Sequence, residues 1–158
     1  MLSRIHYPRW FFAPVLGLLA LGCGLLVGCG GPKVEPLGAV VPVAGKVTVN
    51  GKVLPAGMVS FNPDESKGNT SKNIPTASLE ADGSYKLVTG TVDGVKEGAP
   101  PGWYKVTIMP IAASDPAQSA ASAKAPSIGT PYQGVMMTPL LVEVKDGAAA
   151  GAYDLKLK

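Results

Sequence analysis

The chain has 158 residues, of which 20 are Gly and 15 are Pro, and few are aromatic. This composition favours short strands joined by turns over long helices. The formal charge is +3, but Arg4 and Arg9 lie close to the N-terminus, and without them 12 Lys face 11 acidic residues. A net charge of about +1 excludes a strongly basic face for nucleic acid in the rest of the chain.

The N-terminal segment has the layout of a secretory signal. Arg4, His6 and Arg9 form a positively charged start, and residues 11–27 form an apolar run. A single transmembrane helix is the alternative interpretation. The run has 17 residues, which is short for a helix that spans a bilayer, and Pro14 interrupts it.

The apolar run ends in Leu26-Val27-Gly28-Cys29. This stretch resembles the lipobox of bacterial lipoproteins, in which small residues let the signal peptidase approach and the thiol receives a diacylglyceryl group. The resemblance implies cleavage between Gly28 and Cys29 and lipidation of Cys29. A second stretch that ends in Cys23 matches less well, and the alternative is that both cysteines are unmodified leader residues. With Cys23 removed and Cys29 acylated, the mature chain forms no disulfide.

Residues 29–40 are predicted to form a flexible tether that begins at the lipidated Cys29. Each buried CH₂ of an acyl chain contributes about 0.8 kcal/mol, so more than one chain makes membrane attachment stable. We expect a lipid-anchored protein on the cell membrane or the outer membrane, facing the periplasm or the exterior. Residue 30 is Gly rather than Asp, which favours the outer membrane under the best-known sorting rule for such proteins.

After the tether, apolar or small residues recur at every second position, which predicts a half-buried strand over 41–49. Asn50-Gly51 follows, and this pair is the strongest short hairpin signal because both residues tolerate positive φ. The chain is predicted to return over 52–54 and, after a second turn, to form a strand over 58–61.

The polar stretch 63–73 is predicted to be a surface loop. Residues 76–80 and 85–88 are predicted to pair as two strands around a turn at Asp82-Gly83. Calcium binding at this turn is an alternative, since carboxylates suit that ion, but the further acidic residues of a calcium loop are missing. An ordinary hairpin turn is therefore favoured, and no metal site is predicted.

Residues 90–102 are predicted to be a long turn region, and clean alternation predicts a strand over 103–108. Tyr104 points inward and Trp103 outward in this pattern. Trp103 is the last Trp in the chain; it either stacks on a sugar or, as is more common, covers the open end of a sandwich. Residues 111–128 are a low-complexity loop rich in Ala and Ser that cannot fill a core.

Two more strands are predicted towards the C-terminus. Leu140, Val142 and Val144 face inward in the first, and Tyr153, Leu155 and Leu157 face inward in the second. About seven strands with turns between them and no convincing helix indicate an all-β fold. The predicted architecture is an antiparallel sandwich of two sheets over residues 41–158.

The order of these turns resembles the carboxypeptidase regulatory-like domains, which have a transthyretin-like Greek-key sandwich. Three stretches carry the resemblance: residues 43–61, residues 81–87 and residues 101–106. Residues 131–147 are similar to small lipoproteins of planctomycete-type bacteria. The resemblance implies a sandwich fold in an extracytoplasmic place and, for most members, no assigned activity. The lipobox separately predicts a signal peptide over 1–28.

The sequence offers few groups for catalysis. His6 is the only His, and no Arg, His or free thiol is expected in the mature chain. A Ser-His-Asp triad, a zinc site built on His and a Cys nucleophile are therefore excluded, and no cofactor is predicted. The acidic residues lie singly in turns or on outward positions, whereas a glycosidase needs two carboxyl groups held together. We expect that the protein is not an enzyme.

Two classes of function remain open. The first is a non-catalytic surface or periplasmic lipoprotein that acts as a structural or protein-binding module. The second is a carbohydrate-binding module, for which Trp103, Tyr104 and Tyr132 are the only plausible stacking residues. The expected partners are the membrane, through the lipid anchor, and envelope proteins or polysaccharide.

Overall fold

Ten β-strands in two sheets make up most of the regular structure in residues 37–91, 94–110 and 125–158, which are the residues that the computed structural model describes. The strands are β1 (Ala44–Val49), β2 (Lys52–Val53), β3 (Met58–Pro63), β4 (Thr76–Ser78), β5 (Ser84–Lys86), β6 (Val88–Thr91), β7 (Gly94–Glu97), β8 (Gly102–Met109), β9 (Leu141–Val144) and β10 (Leu155–Leu157). Two single turns of 3-10 helix, Glu65–Lys67 and Thr130–Gln133, are the only helical elements in this part of the chain. The all-β, sandwich-like class is therefore confirmed.

The predictions for the signal segment, for Gly28 and Cys29 and for residues 29–36 of the tether lie outside the described residues. Most of the low-complexity loop, residues 111–124, also lies outside them. Within the described ranges, no helix has the length and hydropathy of a membrane-spanning segment.

The smaller sheet has four strands arranged around β1. β10 lies on one side of β1, and β2 and β5 also pair with it. The turn after β1 forms as predicted, because Asn50 has φ 50° and Gly51 has φ 77°, the left-handed conformations that a tight hairpin requires.

The larger sheet has six strands in the order β7-β6-β4-β3-β8-β9, and every neighbouring pair in it is antiparallel. β8 is the longest strand, and it pairs with β3 from Pro63↔Tyr104 at one end to Met58↔Met109 at the other. We call the end with Pro63 and Tyr104 the proximal end and the opposite end of the sandwich the distal end.

The described chain begins at the proximal end. Val41 exchanges two backbone hydrogen bonds with Ala99, and Ala99 lies three residues before β8 begins. The turn at Asn50 lies beside the end of β10, because the backbone N–H of Asn50 donates to the carbonyl of Leu157. Leu54, just after this turn, lines a cavity with Pro110, the residue after Met109, so the turn lies towards the distal end.

The core lies between the sheets and is made by alternate residues of the strands. Its largest fully buried side chains include Phe61, Tyr85 and Tyr104, and the Phe61 ring lies 6.3 Å from the ring of Tyr85 and 5.8 Å from that of Tyr104. Tyr85 belongs to the smaller sheet and the other two to the larger sheet, so the tilted contact between Phe61 and Tyr85 joins the sheets. The inward positions predicted for the strands after residues 102 and 140 are buried or half-buried.

The strand count and one pairing differ from prediction. The described residues form ten strands rather than about seven, and β10 runs parallel to β1, with Val47 opposite Leu155. Side-chain periodicity reveals which face of a strand is buried, but it does not reveal the partner or direction of that strand.

The predicted pairing of residues 76–80 with 85–88 holds only at one position, Thr76 opposite Val88. After the turn at Asp82-Gly83 the chain crosses to the smaller sheet, where β5 pairs with β1, and it then returns so that Val88 of β6 lies opposite Thr76 of β4. The crossing places Tyr85 in the core, where its hydroxyl donates to the Tyr153 carbonyl at 2.6 Å. Burial raises the pKa of this phenol above its ordinary value.

Much of the predicted long turn region over 90–102 is a hairpin of β6 and β7. All four residues of β7 are exposed, and Val95 retains 69% of its accessible surface. A strand that buries neither face has no alternation of apolar and polar residues, so the pattern that predicts strands is missing here.

Candidate functional site

Trp103, the predicted sugar-stacking residue, lies at the proximal end on the outer face of the larger sheet. It is the second residue of β8 and lies opposite Glu143 of β9. Its side chain is half-buried, whereas the next residue, Tyr104, is fully buried. The alternation along β8 therefore places the Trp103 ring on the side away from the core.

A loop beside Trp103 is organised by a buried carboxylate. Asp64 is 3% exposed, and its Oδ1 accepts hydrogen bonds from the Ser66 hydroxyl at 2.7 Å and from the Ser66 backbone N–H at 3.1 Å. The hydroxyl contact is the main cause that lowers the pKa of Asp64; burial opposes it, and the Lys105 charge supports it. Asp64 is thereby held as the ionised cap of the short helix Glu65–Lys67.

The same loop is bonded to the backbone of Trp103. The Trp103 carbonyl accepts from the Asp64 backbone N–H at 2.9 Å and from Nδ2 of the buried Asn69 at 2.9 Å. Gly102 makes this approach possible, because a Cβ atom there would lie 2.8 Å from Asn69 Nδ2. The loop and the start of β8 therefore form one ordered surface.

Two buried polar residues thus correct the prediction of a simple surface loop over 63–73. Asp64 and Asn69 are 3% and 8% exposed. The available signal was local, since an Asp or Asn side chain commonly accepts a hydrogen bond from the backbone two residues later. Asn69 makes such a contact with the Ser71 backbone N–H, at 3.2 Å.

The charges around Trp103 are mostly paired. Lys67 Nζ lies 5.2 Å from the centroid of the Trp103 ring, within the range of a cation–π contact. The neighbouring ion pairs are Lys105–Asp64 at 3.8 Å, Lys72–Glu65 at 3.4 Å and Lys145–Glu143 at 3.5 Å. Among the described residues Lys67 has no carboxylate within ion-pair distance, although its charge also helps to lower the pKa of Asp64.

The three predicted stacking residues do not form one platform. Tyr104 is 0% exposed, and its hydroxyl donates to the Pro100 carbonyl at 2.7 Å, so its ring is not available to a ligand. Tyr132 is half-buried, and its hydroxyl accepts from the Lys158 backbone N–H at 3.1 Å at the distal end. Of the three, Trp103 alone lies at the proximal end with its ring on the outer face.

A cavity of about 330 Å³ lies elsewhere, between Leu54, Pro110 and Ile128. None of the predicted stacking residues lines it. In the part of the chain that the structure describes, no group of three or more His, Cys, Asp or Glu side chains is placed to hold a metal ion. Comparisons with protein-family models, curated proteins and solved structures found no match to this chain.

Proposed function

We propose that this protein is a lipid-anchored, non-catalytic module of the bacterial cell envelope that serves as a structural or protein-binding β-sandwich. The observation that carries the proposal is the stretch Leu26-Val27-Gly28-Cys29 at the end of an apolar leader. The strands that follow belong to one compact unit, Glu35–Lys158. A folded unit that begins a few residues after an acylated cysteine would be held close to the membrane.

The proposed place is the cell membrane or the outer membrane, with the sandwich facing the periplasm or the exterior. The thiol of Cys29 would carry the acyl chains, and the new N-terminus would lie at this residue after cleavage behind Gly28. Two or more acyl chains make such attachment stable, whereas one chain gives only reversible binding.

Exposed strand edges support a protein-binding role. β7 is one of the two edge strands of the larger sheet, and it carries the exposed Val95. The unpaired backbone groups of such an edge are a template on which a strand of another protein can pair. Envelope proteins are therefore the first proposed partners.

The non-catalytic proposal rests on residue types. The only His, both Arg residues and both Cys residues occur within the first 29 positions. The proposed mature chain would then lack the groups that most often act as general base or nucleophile, and no cofactor is proposed.

We also propose the carboxypeptidase regulatory-like family, with its transthyretin-like Greek-key topology, as the relatives of this domain. Support comes from the ordered turns of the sequence, in particular Asn50-Gly51 and Asp82-Gly83, which lie between strands. The parallel pair of β1 and β10 is a specific feature by which a solved relative could be recognised.

Replacement of the acylated cysteine tests the proposal. Cys29→Ser should abolish labelling by a clickable fatty acid and release the protein from the membrane fraction, because serine offers no thiol to the transferase. Cys23→Ser is the matched control, since it changes the other leader cysteine by the same single atom. It should label and fractionate like the unmodified chain.

Persistent membrane attachment of Cys29→Ser, together with an intact leader, would contradict the proposal and support a transmembrane helix over 11–27. Loss of attachment in Cys23→Ser alone would show that Cys23, and not Cys29, carries the lipid.

A carbohydrate-binding module is the second candidate, and the outward ring of Trp103 with Lys67 above it favours this candidate. Exposed aromatic rings are common stacking surfaces for ligand rings. A glycan array should detect binding that is lost in Trp103→Ala and retained in Tyr132→Ala. An array with no binding at all would eliminate this candidate.

A further inference from the structure

The proximal end of the sandwich brings together the start of the described chain and Trp103. Val41 pairs with Ala99, and the Tyr104 hydroxyl bonds to the carbonyl of Pro100, so the path from residue 41 to β8 is short. Val41 therefore lies at the end that carries Trp103. A lipid on Cys29, which precedes Val41 in the chain, would be covalently connected to this end.

We propose that Trp103 and Lys67 form a membrane-contact patch that rests against anionic lipid headgroups when the protein is anchored. The inference rests on the proposed lipidation of Cys29 and adds an orientation to it. Val41 is the twelfth residue after Cys29, a span of at most about 40 Å when fully extended. The patch is therefore within reach of the surface to which the acyl chains are attached.

The two side chains suit a bilayer surface. Trp is enriched at membrane–water interfaces, where its amphipathic ring lies at the level of the headgroups. Lys67 is exposed, and its long aliphatic stem can lie along apolar surface while its ammonium group contacts phosphate. The cation and the ring are 5.2 Å apart, so they would reach the same few headgroups.

The charges nearby permit this contact. The carboxylates of Asp64, Glu65 and Glu143 each lie within ion-pair distance of a lysine. Lys67 has no such partner among the described residues, so the patch retains positive charge. The negative surface potential of anionic lipids attracts charge of this sign, and the attraction falls within a Debye length.

Hydrogen bonds within the fold fix the positions of the two side chains of the patch. Lys67 is the last residue of the short helix that Asp64 caps, and Asn69 fixes the same loop to the Trp103 carbonyl at 2.9 Å. The ring and the ammonium group are therefore positioned before contact, which reduces the conformational entropy lost on docking.

The test uses the lipidated protein in vesicles whose phosphatidylglycerol carries brominated acyl chains, which quench nearby Trp fluorescence. Trp103 is the only Trp after residue 28, and Trp103→Phe measures the background signal. We expect Trp103 emission to be quenched about twofold more than that of a distal reporter, because an interfacial ring lies near the acyl chains.

The distal reporter is Met109→Trp in the Trp103→Phe background. Met109 is 47% exposed at the other end of β8. It lies six residues from Trp103, about 20 Å along the strand and on the same face. Lys67→Glu should weaken quenching of Trp103 in anionic vesicles. Lys52→Glu, at an exposed position beside the distal turn, should not weaken it.

If the protein floats with the vesicles and Trp103 is unquenched, or the distal reporter is quenched more, the patch proposal is overturned while the anchor stands. If the protein does not float, the proposed anchoring fails and the orientation falls with it. A Trp103 response to soluble envelope polysaccharide, with none to vesicles, would overturn the patch in favour of carbohydrate binding.

Discussion

Two aspartates show how single residues build the turns of this protein. Asp64 and Asp82 each accept hydrogen bonds from the backbone N–H and the hydroxyl of the serine two residues later. Asp82 also lies 3.3 Å from Lys46. The Asp82 carboxylate thus serves to close the turn that leads into β5.

The pKa of Asp82 should depend on Ser84. The Ser84 hydroxyl is the main cause that lowers the pKa of Asp82 from 3.8 to about 2, with help from the Ser84 backbone N–H and Lys46. A lowered folded-state pKa means that ionised Asp82 stabilises the fold above pH 4. This contribution is lost as the pH falls from about 4 to about 2.

Ser84→Ala should therefore raise the titration midpoint of the Asp82 carboxyl carbon, followed by NMR, towards the ordinary value. The loss of stability in acid that Asp82 causes should become smaller in the same variant. Ser78→Ala, an exposed serine of β4, is the control and should leave the midpoint near that of the unmodified protein. An unchanged midpoint in Ser84→Ala would show that the hydroxyl contact does not control this carboxyl group.

At the scale of elements, the C-terminal strand illustrates what the sequence can and cannot reveal. The inward faces of Tyr153, Leu155 and Leu157 were predictable, and all three side chains are buried. The parallel pairing of β10 with β1 was not predictable, because it depends on where the preceding turns direct the chain. Gly45 of β1 permits it, since a Cβ there would collide with the Tyr153 carbonyl.

The packing of β10 against the core gives a stability prediction. Leu155 is 2% exposed, so Leu155→Ala should reduce the free energy of unfolding by about 2–5 kcal/mol through lost burial and a cavity. The adjacent Lys156 is exposed, and Lys156→Ala should change the free energy of unfolding by less than about 0.5 kcal/mol. Urea denaturation of both variants provides the measurement.

If the two variants lost the same stability, or neither lost any, β10 would not be part of the core. A large loss in Lys156→Ala alone would mean that the strand faces the opposite way.

At the scale of the whole molecule, the sequence was sufficient for the fold class but not for its topology. Alternating apolar residues and Gly-containing turns predicted two sheets with little helix. The exposed strand β7 and the crossing after Asp82 escaped prediction, since the first has no buried face and the second depends on contacts distant in sequence.

The candidate site was likewise predicted only in part. The outward direction of Trp103 followed from strand alternation alone. The support from Asp64 and Asn69 did not, because their polarity indicated solvent exposure. In the buried loop, Ser66 and Lys105 satisfy the Asp64 carboxylate, and the Trp103 carbonyl accepts from the Asn69 amide. Tyr104 was expected to point inward, and its full burial removes it from the stacking residues.

We propose that an acylated Cys29 fixes this sandwich to a membrane, and mass spectrometry of the purified protein can show whether it does. We expect a mature chain that has lost residues 1–28 and begins with Cys29 bearing a diacylglyceryl group. A chain with its leader intact, or one that begins at an unmodified Cys29, would refute the proposed lipid anchor.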